Sequence, residues 1–467
     1  MKKDHCGVIG IYGHKDASQL AYLGLYALQH RGEESAGIIS YDGKKVYQHK
    51  GMGLVGDVFD ETSLKKLKGH SAVGHVRYST TGSSTVKNVQ PLLVNHKKGF
   101  IAVAHNGNLT NSVALRDELE DAGSILQTTM DSELIVHLLV KDHKNNYDEK
   151  ITPIAARLKG AYSFVLMIND AIYAIRDPYG FRPLCIGTLN GAHIVASETC
   201  ALDMVQATYV RDVEPGETVI IDKDGLRSLK CATAQKSHAF CIFENIYFAR
   251  PDSNIFTKNV YLTRKRLGRA LAKEHPALAD IIMPIPDSGM YAALGYAEES
   301  HIPLEMAFVR NHYIGRTFIQ PSQLIRDFKV KIKLNPIKDV LTGKRVVVIE
   351  DSIVRGTTSR GRVRALRQAG AKEIHMRISC PPLISPCFYG IDFPTKKELI
   401  ASSHAIEDIR QFIGVDTLKY LSLEGMLNSM LLPGEEFCIA CFTGIYPTEV
   451  CKPPSKKALE KTRCQGI

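Results

Sequence analysis

The run Arg345-Val346-Val347-Val348-Ile349 ends abruptly in Glu350-Asp351. Successive apolar residues leave no polar face, so the run suits a strand buried on both sides in a parallel sheet covered by helices. A helix over Thr358 to Gln368, a break at Ala369-Gly370 and a strand over Glu373 to Ser379 complete a strand–helix–strand unit. Such units take ligands at the carboxyl ends of their strands. A further strand, Ile281 to Pro286, ends in Asp287-Ser288-Gly289.

The first half reads differently. Strands are expected at Cys6 to Tyr12, Ala72 to Tyr78 and Phe100 to His105. Ala161 to Ile168 and Ala171 to Ile175 flank Asn169-Asp170 as a hairpin. Helices are expected over Ala17 to Leu28, Ser112 to Ala122 and Ser132 to Lys141. Strand runs interrupted by helix pairs imply packed sheets covered by helices, an α+β layout. The character changes near Cys231 to His238, and α/β alternation follows.

At 467 residues the chain has room for two or three domains. No stretch approaches the roughly 20 apolar residues that span a bilayer, so no membrane association is expected. Met1 to His5 start basic but lead into no apolar segment, unlike a secretory signal. A cytoplasmic location is the expectation. The net charge of +10 is spread along the chain, densest from Arg310 to Lys333. Nucleic acid would favour one basic face with aromatic platforms; small polyphosphate substrates fit the distribution at least as well. The 11 cysteines are odd in number and irregular in spacing, which argues for catalysis or metal binding over a disulfide framework.

Cys6-Gly7 heads the first strand, followed in order by Gln29 to Gly37, His75 to Gly82, His105-Asn106-Gly107-Asn108 and Asp131-Ser132-Glu133. Taken singly, each has a plain structural reading. Cys6 suits a buried core thiol, Arg77 a salt bridge, Asn106-Gly107 a turn, and Asp131 a helix N-cap. Together the pieces resemble the class II glutamine amidotransferases, which are N-terminal-nucleophile hydrolases. The resemblance implies an αββα sandwich over residues 6–235 and a propeptide of residues 1–5. Removal of the propeptide gives Cys6 a free α-amine. An α-amine has a pKa of about 7.7–8.0 and can take the thiol proton near neutral pH. It further implies that Arg77 grips the carboxylate of glutamine and Asp131 its ammonium. Asn106 and the Gly107 N–H would serve as oxyanion donors. Arg31 and Tyr78 resemble residues that close the glutamine site and couple it to the other domain.

The loop Glu350-Asp351-Ser352-Ile353-Val354-Arg355-Gly356-Thr357-Thr358 resembles the type I phosphoribosyltransferases. That implies a parallel-sheet domain over residues 236–467 that binds phosphoribosyl pyrophosphate. Glu350 and Asp351 would meet ribose hydroxyls and Mg²⁺, Gly356, Thr357 and Thr358 would wrap the 5-phosphate at a helix N-terminus, and Ser352 and Arg355 would also bind phosphoribosyl pyrophosphate. Many relatives carry two aspartates where this chain has Glu350-Asp351. Asp287, Ser288 and Gly289 resemble the pyrophosphate loop, with Ser288 at the Mg²⁺ site. Asn311 to Ile319 resembles a closing loop that carries Arg316, with Arg326 and Lys333 as further phosphate partners or as a solvated face.

Joined, the two resemblances imply an enzyme that releases ammonia from glutamine and passes it to phosphoribosyl pyrophosphate, the first step of purine synthesis. A homotetramer with purine nucleotides as feedback inhibitors is implied too. Cys241, Cys387, Cys438 and Cys441 match the ligands of iron–sulfur members, implying a structural [4Fe–4S] cluster. Tetrahedral zinc is the physical alternative, and Cys451 the competing ligand. Two other functions compete: a different class II amidotransferase, and a non-catalytic regulator that only binds phosphoribosyl pyrophosphate. The Glu350 to Thr358 loop argues against the first, and the set Cys6, Arg77, Asn106 and Asp131 against the second.

Overall fold

A computed structural model describes residues 6–78, 84–230, 237–310, 334–393, 395–449 and 459. Met1 to His5, Arg316, Arg326, Lys333, Cys231, Cys451, Cys464 and the expected boundary at 235/236 lie outside the described residues.

Two antiparallel sheets build the first half. One runs in the order Thr208–Asp212, Cys185–Leu189, Ala192–Ala196, Gly7–Tyr12, Ser71–Arg77, Ser35–Tyr41, Val46–Met52. The other runs Gly225–Lys230, Glu217–Asp222, Ile172–Arg176, Gly160–Ile168, Gly99–Leu109, Leu92–His96. Alternation along each strand decides what its side chains meet. Val8 and Tyr12 join Ala102, Val165 and Val219 in a core between the sheets. Ile9 and Ile11, one residue out of phase, pack instead with Ala21, Leu25 and Ala201 of the helices Ala17–Ala27 and Thr199–Met204. The other sheet is covered by the helices Ser112–Asp121, Glu133–Lys141 and Tyr147–Arg157. This is the αββα sandwich. Gly10 makes the sheets' close approach possible, since a Cβ there would stand 2.7 Å from Val165 Cγ1.

The second half carries a parallel sheet in the order Ile281–Pro284, Arg345–Glu350, Glu373–Ile378, Thr417–Tyr420. Val346 to Ile349 are fully buried, as an all-apolar run requires. The helices Val260–Glu274, Met290–Ser300, Thr357–Gln368 and Ile406–Ile413 pack with it into one core. Phe240–Cys241 pairs in parallel with Phe437–Cys438, so the C-terminal segment returns to where the second half begins.

One local expectation is corrected. Asn106-Gly107 is no turn. The strand Gly99–Leu109 runs straight through, with Asn106 opposite Ser163 and Gly107 opposite Tyr162. Gly107 takes φ +148°, and a Cβ there would stand 2.1 Å from the Ala161 carbonyl oxygen. The pairing therefore continues because this position has no side chain.

Candidate active sites and the contacts between them

Cys6 immediately precedes the strand Gly7–Tyr12, and the pairing of Gly7 with Val76 brings it beside Arg77 and Tyr78. Its thiol donates to the Tyr78 carbonyl at 3.4 Å. Burial pushes the thiol pKa up to about 11, against the pull of that hydrogen bond and of the Arg77 charge. Arg77 and Tyr78 are themselves buried. The Arg77 guanidinium feels Cys6, Glu34 and Asp131 electrostatically.

Asp131 does not cap a helix. Ser132 occupies the N-cap of Glu133–Lys141 and makes no side-chain cap. One Asp131 oxygen accepts the Leu109 N–H at 2.9 Å, and the other lies 3.3 Å from His105 Nδ1. Burial raises its pKa, but His105 and the backbone donors outweigh that and hold the carboxyl below its ordinary value. The His105 ring stacks on Phe164 at 4.2 Å between centroids. Asn106 is fully buried, and neither its Nδ2 nor its Oδ1 has a partner among the described residues. Leaving a buried polar group unpaired costs about 1–3 kcal/mol. The strand Gly99–Leu109 thus carries a desolvated amide with no partner among the described residues.

Arg31 was expected to help close the glutamine site and couple it to the other domain. Its Nε donates to the Cys6 carbonyl at 3.1 Å, and its Nη atoms donate to Glu198 and Glu244. It is a buried tie behind Cys6. Glu198 also accepts from His30, from the Arg250 N–H and from Ser253. Glu244 also accepts from Arg182 at 3.0 Å. Glu198, Glu244 and Arg182 were not singled out in the sequence. Glu244 had one signal, its place three residues after Cys241.

In the second half Gly289 passes tightly under the neighbouring strand: a Cβ would stand 2.4 Å from the Ile349 carbonyl oxygen. This brings Ser288 to Asp351, with its hydroxyl 2.5 Å from Oδ2, while Ser352 donates to Oδ1 at 2.6 Å. Asp287 pairs with Arg310. Gly356 takes φ +72° at the N-cap of Thr357–Gln368 and offers no side-chain cap, which leaves first-turn N–H groups for an anion. Arg355 pairs with Glu398 at 2.7 Å. Glu350, at the same strand end, has partners on the following helix. Its carboxylate accepts from Ser359 at 3.0 Å and Arg362 at 2.5 Å, and so faces the following helix.

Cys241, Cys387, Cys438 and Cys441 line one cavity together with Phe181, Phe243, Tyr389, Ile391, Ala440 and Tyr446. Burial raises every thiol, Cys241 to about 11. The Arg182 charge opposes this at Cys241 and Cys387. Among the described residues no three His, Cys, Asp or Glu side chains converge to hold a single metal ion. Thiolate donors of this kind suit an iron–sulfur cluster or tetrahedral zinc.

The model of the glutamine amidotransferase domain family matches residues 75–204. The amidophosphoribosyltransferase of Bacillus subtilis (strain 168) is 50% identical over 455 residues, covering 96% of this chain and 95% of that protein. That of Methanocaldococcus jannaschii is 50% identical over 463 residues, covering 95% and 98%. The solved glutamine phosphoribosylpyrophosphate amidotransferase from B. subtilis, complexed with ADP and GMP, superposes with a TM-score of 0.92. It is 48% identical, covering 97% of this chain and 100% of that one. By identity over nearly the full length of both partners, the chain belongs to the amidophosphoribosyltransferase family.

Proposed function

We propose that this amidophosphoribosyltransferase hydrolyses glutamine at Cys6 and adds the released ammonia to phosphoribosyl pyrophosphate. Once Met1 to His5 are removed, the Cys6 α-amine takes the thiol proton and the sulfur attacks the side-chain amide carbon. Arg77 binds the α-carboxylate of glutamine and Asp131 its ammonium. Tyr78 closes the pocket behind the thiol. The oxyanion is met by the Asn106 amide and the Gly107 N–H. The α-ammonium returns that proton to the amide nitrogen as the C–N bond breaks, ammonia leaves, and water cleaves the thioester to glutamate. In residues 236–467 ammonia attacks C1 of the ribose and pyrophosphate departs, leaving 5-phosphoribosylamine. Asp287, Ser288 and Gly289 take the pyrophosphate. Ser352, Arg355, Gly356, Thr357 and Thr358 take the 5-phosphate, with Arg316 as a further phosphate partner.

The observation that carries the reading is the buried Asn106 amide, without a partner among the described residues, on the strand beside Asp131. Ser288 and Asp351 would hold Mg²⁺, which when bound neutralises charge on the pyrophosphate. Glu350 is left out of that set because Ser359 and Arg362 engage it. The four cysteines of the shared cavity would hold a [4Fe–4S] cluster as a structural tie. Iron with acid-labile sulfide supports this, and stoichiometric zinc refutes it. No helix among the described residues is long and apolar enough to cross a membrane. Purine nucleotides as inhibitors rest on the B. subtilis relative solved with ADP and GMP. A homotetramer rests on the family resemblance.

The test is phosphoribosylamine formation from glutamine and from ammonia, in the native chain and in Cys6→Ala. The variant should lose glutamine use and keep ammonia use. Equal loss of both would refute separate sites.

A further inference from the structure

The segment 387–390 of the second half lies against the strand that carries the oxyanion donors. Asn108 Nδ2 donates to the Phe388 carbonyl at 2.9 Å, across 280 residues of chain. Two residues on, Gly390 meets Gly107: a Cβ at Gly390 would stand 3.0 Å from the Gly107 carbonyl carbon and 3.1 Å from its oxygen. Gly390 also has φ +101°, which an L side chain rarely adopts.

The segment between these contacts is firmly held. Arg182 donates twice to the Tyr389 carbonyl, at 3.2 and 2.6 Å. The Tyr389 ring stacks on Phe181 at 4.2 Å and 19°, and its hydroxyl pairs with Thr448 at 2.9 Å. The backbone pairing of Asn108 with Ala161 needs no help from its side chain. The bond to Phe388 therefore serves something other than the sheet.

We propose that Asn108 and Gly390 are positioning residues for the oxyanion hole. The hydrogen bond and the glycine–glycine contact both hold the stretch from the Gly107 carbonyl to Asn108, just past the Gly107 N–H, so the glutamine site is complete only with the second half docked. The inference rests on Asn106 and Gly107 as the oxyanion donors. Such donors work only within about 2.7–3.1 Å of the developing charge. A misplacement of about 1 Å can cost on the order of a hundredfold in rate. An Ala at Gly390 would push directly on Gly107, and an Ala at Asn108 would release it.

The experiment uses the full chain with Asn108→Ala, Gly390→Ala and, as a reference, Asn106→Ala. Glutaminase kcat and KM are measured beside ammonia-dependent phosphoribosylamine formation. Asn108→Ala and Gly390→Ala should each lower glutaminase kcat by about ten- to a hundredfold. KM for glutamine and ammonia-dependent synthesis should hold, because donors to a transition-state charge act on kcat. An unchanged kcat overturns the proposal. So does a rise in KM alone, or a parallel loss of ammonia-dependent synthesis, which would mark a merely structural role. Full glutamine turnover in Asn106→Ala would instead overturn the donor assignment beneath it.

Discussion

Arg31 and Glu244 form a doubly bonded ion pair across the two halves of the chain, with Nη1 to Oε2 at 3.0 Å and Nη2 to Oε1 at 2.7 Å. Neither side chain is more than 1% exposed. Arg31 also holds the Cys6 carbonyl, and Glu244 also takes Arg182, whose other donors hold Tyr389. A continuous chain of charged hydrogen bonds thus runs from behind Cys6 to the cysteine-lined cavity.

Removing one member of such a pair leaves a buried charge uncompensated, and for Arg31 two carboxylates lose a partner. Arg31→Met should destabilise the chain by about 3–5 kcal/mol. The doubly changed Arg31→Met, Glu244→Gln chain should recover part of that loss. Denaturant unfolding of the three chains checks both. A first transition in Arg31→Met that matches the native one would refute the buried tie.

Glu198 gives this junction a pH dependence. Burial works against its charge, but His30, Arg31 and Ser253 outweigh it and hold the carboxyl well below its ordinary value of 4.5. The unfolded chain therefore binds the proton more readily than the folded one. Stability from this group is present above pH 4.5 and drains away as pH falls further. The native chain should lose stability between pH 4.5 and 3 more steeply than Glu198→Gln does, as read by thermal unfolding across that range. Parallel slopes in the two chains would sink the assignment.

Much of this architecture was legible in the sequence. The run Val346 to Ile349 announced a parallel strand, and the observed Arg345–Glu350 lies inside a parallel sheet as expected. Strands such as Cys185–Leu189 and Glu217–Asp222 escaped notice, because their short mixed runs become buried only when the two sheets close. The cysteines of the cavity could be named, because they match the ligand positions of the iron–sulfur family members that the chain resembles. Glu198 and Arg182 could not, since a charged residue looks the same on paper whether it faces water or a buried partner. Asn106-Gly107 was misjudged as a turn for a related reason. Dipeptide propensity is local, whereas the pairing with Ser163 and Tyr162 that extends the strand comes from residues far along the chain.

The two acids at the end of Arg345–Glu350 should not be equivalent. Asp351 receives Ser288 and Ser352 at the strand mouth, while Glu350 is turned toward Arg362 and Ser359. Asp351→Asn should lower ammonia-dependent phosphoribosylamine formation by about a hundredfold or more, as loss of a preorganised charge at a reacting group does. Glu350→Gln should act mainly on stability, through the unpaired Arg362, with turnover reduced less than about tenfold. Steady-state rates at saturating Mg²⁺ decide the matter, and equal losses in the two variants would restore Glu350 to the metal set.

Processing should change how Cys6 reacts. With Met1 to His5 attached there is no α-amine at Cys6, and burial sets the thiol at about 11. Only about one molecule in a thousand then carries thiolate at pH 8, three units below that value. Alkylation by iodoacetamide should be slow and should rise about tenfold per pH unit through pH 10. In the processed chain the α-amine takes the thiol proton, so alkylation should be faster and should level off near the amine's pKa of about 7.7–8.0. The measurement is the rate of mass gain at Cys6 from pH 6 to 10 in both forms, with intact mass reporting which form is present. Superimposable profiles would remove the α-amine from the mechanism.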